Sequence, residues 1–298
     1  MKSIIFTNAR NEKNILEWVI HHQKLGFDYI FVIDHKSTIP IKKILYVIDP
    51  ITLQPKYNMK NVYVLRIDDN KIIKTNLMKY ALKFSTKNNF NWMLYLDSDE
   101  FLVLNHTNNV NNFLHNYIPY DQIGINWLLF GSNYREKVLN NNESIIESYT
   151  RSDKNLHNHL KSFINIQHLK YNNLLYIPNP HTYVLKNMSR SINVNYKKLN
   201  PALSYIYNTK QHFSKVPAFV SHYVFQSYDT YINRKINLPR DDTGTFRSLL
   251  SKKEFHNSHN EIINTFVKNK YYPNKENINP ITLLEINKRN DPQIETNM

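Results

Sequence analysis

A short apolar run that ends in carboxylates constrains this chain more than any other feature of its sequence. Residues 92–96 predict a buried strand, and Asp97, Asp99 and Glu100 follow it directly. Open α/β sheets bind ligands at the carboxyl ends of their strands. Because Asp97 and Asp99 lie two residues apart, both can turn toward one ion where the backbone bends. Hard oxygen ligands suit Mg²⁺ or Mn²⁺, which bridge carboxylates to substrate phosphates; the alternative is an acidic, solvated turn.

Strands and helices alternate through the first third of the chain. The predicted elements are strands at 3–8, 29–33, 62–65 and 92–96 and helices at 12–25 and 75–84. Asn11 is the predicted N-cap of the first helix, and Gly26 ends it. A strand–helix–strand unit needs a parallel, right-handed crossover. The pattern therefore predicts an α/β protein with a mostly parallel central sheet and helices on both faces.

The rest of the chain is less regular and shows no clear domain boundary. The predicted elements are strands at 123–130, 144–149, 161–166, 181–185 and 219–225 and a helix at 227–236. From residue 268 onward the sequence is polar and contains three prolines. We therefore predict one domain over residues 1–267 and a polar tail over residues 268–298.

Composition excludes several classes of protein. The chain has no cysteine, so disulfides, thiolate catalysis and cysteine-ligated zinc are excluded. Its 4 glycines form no phosphate-binding loop, which excludes dinucleotide-dependent oxidoreductases and P-loop kinases. The sequence contains no run of about 18 apolar residues, so it predicts no membrane span. Phosphate must therefore be held by lysine or arginine side chains and by a metal ion.

The net charge of +14 favours polyanionic partners such as nucleic acid, an anionic membrane or phosphorylated small molecules. A nucleic-acid-binding protein or a metal-dependent nuclease is accordingly one alternative. However, the charge comes mainly from scattered lysines. The sequence has no basic run with interleaved aromatic residues, which is the pattern that would predict specific nucleic-acid binding. The bias toward Asn, Ile, Lys and Tyr resembles AT-rich coding, as in a large DNA virus or an AT-rich microbe.

Five motifs follow one another in an order that is typical of one family. They are the segment from Asn11 to Gly26 with Glu12, Glu17, Trp18, His21 and His22 and the following strand that ends at Asp34, then Trp92 to Phe101, Phe130-Gly131-Ser132, Lys161-Ser162-Phe163-Ile164, and Ser221-His222-Tyr223 followed by Gln226-Ser227-Tyr228 and Arg234-Lys235. Over roughly residues 1–250 the chain resembles glycosyltransferases of the A-type fold, closest to family 92 and the related family-2-like transferases. The resemblance implies a Rossmann-like sheet, a nucleotide-sugar-binding half over residues 1–104, and an acceptor half over 105–267 that forms a C-terminal extension.

The resemblance also implies roles for individual residues. Asp97 and Asp99 would bind Mn²⁺ or Mg²⁺, with His222 as the third ligand and His181 as its competitor. Asp34 would contact the nucleoside. The residues implied for the rest of the donor are Asn11 and Glu12, which could shape its pocket or merely cap the helix, and Arg10, Lys161 and Arg234, which could reach its phosphates.

The catalytic base is the least defined residue of this implied site. Family 92 resembles inverting transferases, which need a carboxylate to deprotonate the acceptor hydroxyl. Asp153, Glu147, Asp241 and Asp242 are available, and no spacing distinguishes them. Glu100 could orient the neighbouring aspartates or the acceptor. The family's glycine after Phe-Gly-Ser is replaced by Asn133-Tyr134, in the region where the acceptor binds.

Together these features predict a metal-dependent, inverting glycosyltransferase, most simply a hexosyltransferase. Its donor would be a UDP-sugar, and its acceptor a glycan, a protein-linked glycan or another hydroxyl compound. A transferase-like fold that binds without catalysis is the second alternative. Without a predicted signal or membrane anchor, the expected location is the cytoplasm, or the host cytoplasm or virion if the source is a virus. The sequence does not indicate an oligomeric state.

Overall fold

The computed structural model describes residues 1–69, 74–139, 143–170, 172–200, 203, 205–240 and 242–273. Its strands are β1 (Ser3–Ala9), β2 (Tyr29–His35), β3 (Val62–Ile67), β4 (Trp92–Tyr95), β5 (Glu100–Leu104), β6 (Gln122–Leu129), β7 (Arg151–Ser152), β8 (Leu160–Asn165), β9 (Leu174–Asn179), β10 (Thr182–Leu185), β11 (Ser191–Asn193), β12 (Ala218–His222) and β13 (Ile262–Ile263). Its helices are α1 (Ile15–Lys24), α2 (Ile41–Leu45), α3 (Lys74–Lys87), α4 (Val110–His115), α5 (Ile145–Ser148), α6 (Tyr228–Tyr231), α7 (Lys252–Asn257) and α8 (Phe266–Tyr271). A π-helical turn, Ile232–Ile236, continues α6.

The central sheet has the strand order β3-β2-β1-β4-β8-β6-β12-β5, with β11 also paired to β6. Strands β1, β2, β3 and β4 are parallel, whereas β8 is antiparallel to both β4 and β6. Strand β12 lies parallel to β6 and antiparallel to β5. The predicted α/β class with a mostly parallel, helix-flanked sheet is therefore confirmed. In addition, β1, β4, β6 and β12 all point the same way, so their carboxyl ends meet at one edge.

Apolar side chains on the two faces of the sheet form two cores. One contains Trp18 and Val19 of α1, and the other contains Leu77 and Phe84 of α3. Strand β1 alternates between them, because Ile5 belongs to the first core and Phe6 to the second. This alternation is the period-two pattern expected of a strand covered on both faces.

Helix α1 is fastened to β5 by the side chains of its sequence motif. The Trp18 indole N–H donates to the Glu100 carbonyl at 2.8 Å, and His21 Nε2 donates to the Leu102 carbonyl at 2.8 Å. The Leu102 N–H donates to His22 Nε2 at 3.3 Å. Burial lowers the pKa of both histidines, that of His21 to about 4, so both rings are neutral. The motif thus holds the strand that follows the acidic residues.

Two local predictions are wrong. Residues 144–149 form α5 rather than a strand, because Ser144 caps its N-terminus and the Glu17 carboxylate accepts the Ile145 N–H at 2.8 Å. Helix α1 starts at Ile15 after Asn14, not after Asn11. Asn11 instead has a φ of 53° and accepts the Thr38 N–H.

The predicted tail boundary at residue 268 falls inside α8. The Leu104 N–H donates to the Tyr271 hydroxyl at 3.0 Å, and Tyr272 is buried in the first core. The predicted tail beyond Pro273 lies outside the described residues. Within the described residues, no helix has the length and apolar character needed to cross a bilayer.

Candidate functional site

A cavity of about 240 Å³ lies at the sheet edge where the parallel strands end. Asn8 of β1, Asp97 and Asp99 after β4, Trp127 of β6 and His222 of β12 contribute to its wall. The C-terminal part of the chain closes it with Arg234, Lys235, Arg240, Asp242 and Arg247. Strand order alone therefore collects residues that are far apart in sequence, as open α/β sheets do at ligand sites.

The turn between β4 and β5 is held by Glu100. Its Oε2 atom accepts the Asp97 N–H at 2.8 Å and lies 3.3 Å from the Lys161 ammonium. Lys161 Nζ also lies 3.4 Å from Asp97 Oδ2 and donates to the Pro180 carbonyl at 3.1 Å. Burial raises the pKa of Glu100, and Lys161 opposes that shift. Glu100 and Lys161 thus lie beneath the cavity, where their contacts orient Asp97.

Each aspartate of the motif has a lysine partner. Lys74 at the start of α3 donates to Asp97 Oδ1, and Lys235 donates to Asp99 Oδ2 at 2.7 Å. Burial raises the pKa of Asp99, but the cationic side chains of Lys235 and Arg234 outweigh it, so the net pKa is far below the usual range. Asp99 is therefore ionised at neutral pH.

His222 is the nearest imidazole to the acidic motif. Its Nε2 atom lies 3.6 Å from Asp99 Oδ1, because the register of β12 against β5 places His222 opposite Glu100. Burial lowers the pKa of His222 to about 3, so the ring is neutral. His181 also lines the cavity, but its Nδ1 atom contacts the Leu160 carbonyl at 3.1 Å. His222 is thus the better placed of the two predicted metal ligands.

The donor set suits a divalent ion, although the described residues contain no group of three His, Asp or Glu side chains that could hold a metal as they stand. Asp99 and His222 supply a converging oxygen and neutral nitrogen, a combination that Mn²⁺ accepts. Asp97 lines the same cavity and would complete the set on exchanging its contact with Lys74. The residues present therefore offer the kinds of donor atom that such an ion takes, although they do not form a preassembled site.

Glu12 joins the loop after β1 to the acidic motif. Its Oε2 atom accepts the Ser98 hydroxyl at 2.8 Å and pairs with Arg234 at 2.5 Å. Arg10 and Arg234 line both the first cavity and a second one of about 440 Å³, which Asn11 and Glu12 also line. The structure therefore brings together four of the residues that were predicted to contact the donor.

Two residues predicted to contact the donor lie elsewhere. The buried Asp34 carboxylate accepts the Ser37 and Ile41 N–H groups, each at 3.0 Å, and pairs with Arg66. It holds the loop after β2, and its nucleoside contact stays a prediction. Lys161 does not line the cavity, so a direct phosphate contact would need a rearrangement of the Glu100 cluster.

The candidate bases are separated by the fold. Asp153 pairs with His259 at 2.9 Å and does not line the cavity. Asp242 lines it and is held by Arg240, whose Nε and Nη2 atoms donate at 2.9 and 2.8 Å. These hydrogen bonds lower the pKa of Asp242 to about 2. Asp241 lies outside the described residues.

The sequence interpretation missed Lys74, Trp127, Arg240 and Arg247. Lys74 resembles any lysine at a helix start, and Trp127 resembles a core residue of an apolar strand. The Trp127 ring centroid lies 4.5 Å from that of His222 and 5.0 Å from that of His181. Only the tertiary structure shows that Trp127 lies beside these two histidines.

The Phe130-Gly131-Ser132 motif has a packing role. A Cβ atom at Gly131 would lie 2.6 Å from the Ser258 and His259 carbonyl oxygens, so only glycine fits. Asn133 and Tyr134 then adopt φ values of 51° and 60°, where glycine is favoured and Asn tolerated. Tyr134 therefore lies in strained backbone.

Comparisons with solved structures found weak likenesses. They include a putative glucose-1-phosphate thymidylyltransferase from Bacillus anthracis in complex with sucrose (8% identity, TM-score 0.32, 57% of this chain and 74% of that chain). They also include A197 from STIV (10% identity, TM-score 0.25, 57% of this chain and 68% of that chain). A third is a cytidylyltransferase from Leptospira borgpetersenii serovar Hardjo-bovis (12% identity, TM-score 0.26, 57% of this chain and 62% of that chain). Likenesses at these TM-scores carry no conclusion about function.

No curated protein matches the chain. The model of one protein family does match, over residues 1–289, and its description is "Glycosyltransferase family 92". The matched range includes both the acidic motif and all the strands of the central sheet. This chain therefore belongs to glycosyltransferase family 92.

Proposed function

We propose that this glycosyltransferase transfers a hexose from a UDP-sugar to a hydroxyl group of a glycan or protein-linked glycan, with inversion at the anomeric carbon. The observation that carries the proposal is the convergence of Asp97, Asp99 and His222 with basic side chains in one cavity at the carboxyl ends of parallel strands. Acidic residues alone would repel a diphosphate, whereas this mixed set can hold one.

A bound Mn²⁺ or Mg²⁺ would neutralise the donor diphosphate and stabilise its negative charge as it leaves. Asp97, Asp99 and His222 would hold that ion. The neutral state of His222 supports this assignment, because a metal-binding imidazole must be unprotonated.

The basic side chains of the cavity would bind the rest of the diphosphate. Lys74, Lys235, Arg234 and Arg10 all line it, and two of them are held toward it by the pairs Lys235–Asp99 and Arg234–Glu12. The first cavity is smaller than the roughly 300 to 1,000 Å³ of most ligand pockets. The second cavity shares Arg10 and Arg234 with it and would provide the remaining room.

Asp242 is the carboxylate proposed as general base. It lines the cavity outside the acidic motif and is ionised at neutral pH. The acceptor hydroxyl would give its proton to Asp242 while its oxygen bonds to the anomeric carbon. The bond from that carbon to the diphosphate breaks on the opposite face, and UDP leaves with the bonding electrons.

A thermal-shift screen tests the donor assignment. UDP, GDP, CMP and their common sugar conjugates are each added with and without Mn²⁺, since a ligand that binds the native state raises the melting temperature. We expect UDP and UDP-sugars to stabilise the protein, and to do so more strongly with Mn²⁺. If only another nucleotide stabilises the protein, that nucleotide replaces UDP in the proposed donor. If none of them changes the melting temperature of folded protein, a non-catalytic fold is favoured.

A further inference from the structure

An exposed hairpin between α2 and β3 combines apolar and basic residues. The Lys56 N–H donates to the Val47 carbonyl at 2.8 Å, and Ile48 pairs with Pro55 in an antiparallel bridge. The Asp49 N–H donates to the Gln54 carbonyl at 2.9 Å. We call residues 47–56 the tip hairpin.

Large apolar side chains of the tip hairpin face solvent. Ile48 is 53% exposed, Ile51 is 89% exposed and Leu53 is 73% exposed. Ile39, which precedes α2, is 62% exposed. Single exposed apolar residues are common, but this many within one short segment indicates an interaction surface.

Backbone donors at the end of the tip hairpin are already used. Asp49 Oδ1 accepts the N–H groups of Ile51 and Thr52, each at 2.9 Å, and the Asp49 carbonyl accepts that of Leu53. Pro50 and Pro55 have no N–H group. The N–H groups of Asp49, Ile51, Thr52 and Leu53 are therefore paired, which lowers the cost of placing the tip in an apolar medium.

The chain segment that contains the tip hairpin is basic. Lys42, Lys43, Lys56 and Lys60 are all exposed, and Asp49 is the only acidic residue between positions 36 and 60. The carboxylate of Asp49 is turned onto its own turn by the contacts just described. An apolar tip with a basic rim matches a surface that is apolar inside and anionic outside.

We propose that the tip hairpin docks this enzyme on an anionic lipid bilayer. Ile48, Ile51 and Leu53 would enter the interface, and the four lysines would contact lipid headgroups. The base of the hairpin is fixed for this task, because the Tyr46 hydroxyl donates to the Val62 carbonyl at 2.7 Å. None of the residues of the hairpin lines the two cavities of the candidate site, so docking leaves the site accessible.

Sedimentation with lipid vesicles tests the proposal on the full chain. We expect binding to phosphatidylcholine vesicles that contain phosphatidylserine, little binding to pure phosphatidylcholine, and weaker binding at high salt. The double variant Ile51→Ser and Leu53→Ser should bind at least about tenfold more weakly. Serine at such exposed positions leaves the fold intact, and unchanged transferase activity on a water-soluble acceptor checks this.

The matched control is Leu175→Ser with Tyr176→Ser, which removes two apolar side chains of similar exposure from β9. This variant should bind vesicles like the wild type. Lys42→Glu with Lys43→Glu should reduce binding and flatten its salt dependence.

Two results would overturn the proposal. Equal vesicle binding by the wild type and the tip double variant would assign binding to the overall positive charge of the chain. A wild-type dimer that becomes monomeric in the tip variant, without vesicle binding by either, would instead make the hairpin a contact between two copies.

Discussion

The ion pairs beneath the cavity differ from those on its wall. Beneath it, the side chains of Lys161 and Glu100 are 1% and 0% exposed, and Lys161 has three oxygen partners. On the wall, the side chain of Lys235 is 21% exposed where it pairs with Asp99, and that of Arg240 is 40% exposed beside Asp242. The buried pairs fix the shape of the acidic turn, whereas the wall pairs can exchange partners when substrate arrives. The buried side chains therefore position the acidic turn, and the side chains on the wall are the ones available to bind substrate.

The largest expected effect concerns the acidic motif on the wall. Asp97→Asn and Asp99→Asn should each lower the transfer rate by about 10³-fold, because the ion they are proposed to hold stabilises the leaving diphosphate. Release of nucleoside diphosphate, with the donor found by thermal shift, measures this. Chelation of divalent ions should cause a similar loss in the wild type. Full activity in a chelator would assign that charge stabilisation to the lysines instead.

Removing the buried cation should mainly cost stability. Lys161→Met leaves Glu100 without its closest cation, and breaking a buried pair costs about 3 kcal/mol or more. Lys235→Met removes a partly exposed partner, and the Asp99 carboxylate that it leaves behind keeps Arg234 nearby, so this variant should lose less stability. Urea unfolding of both variants measures the difference, and equal losses would contradict the distinction between the two sets of pairs.

Acid should weaken the attachment of α1 to β5. The pKa of His21 is lowered to about 4 in the folded state, so the unfolded chain binds more protons below its own pKa of about 6.5. The free energy of unfolding should therefore fall as pH drops from about 6.5 to about 4, by about 3 kcal/mol from His21. Unfolding of the wild type and His21→Phe across this range measures it; parallel pH profiles would show that His21 does not contribute.

The smallest expected effect on the transfer rate distinguishes Asp242 from Asp153, two of the four candidate bases. Asp242→Asn should lower the transfer rate by about 10²-fold, since it removes the proposed proton acceptor. Asp153→Asn is the control, because Asp153 pairs with His259 away from the cavity. Both rates are measured at saturating donor and compared over a range of acceptor concentrations. A larger loss in the Asp153 variant would reverse the assignment.

The sequence predicted the parts of the fold that depend on local patterns. Strands β1 to β4 and helices α1 and α3 were predicted from their periodicity, whereas the short helix α2 was not, and the acidic motif follows β4 as expected. The prediction of a strand at 144–149 was wrong because the segment has too few apolar residues to show a period. Its helix is stabilised by Glu17, a carboxylate that is distant in the sequence. Short apolar segments are decided by tertiary contacts of this kind.

The candidate site was predicted in part, for the same reason. Motif spacing pointed to Asp97 and Asp99, and the family resemblance pointed to His222; the register of β12 against β5 brings His222 to Asp99. Lys74 and Trp127 have no sequence signal, because a lysine at a helix start and a tryptophan in a strand are ordinary. The position of Trp127 follows from the strand order and that of Lys74 from the packing of α3 on the sheet, and no local pattern contains either.

The position of β12 has a consequence for the order in which the chain can fold. This strand lies between β6 and β5, although it comes late in the sequence and pairs His222 with Glu100. During synthesis, β5 and β6 must therefore wait with open edges until residues 218–222 leave the ribosome. Such non-local pairing is slow to form and exposes strand edges to aggregation. Nascent chains of this transferase should thus depend on chaperones over that interval. A truncation before Ala218 should leave β5 and β6 without the strand that pairs with both.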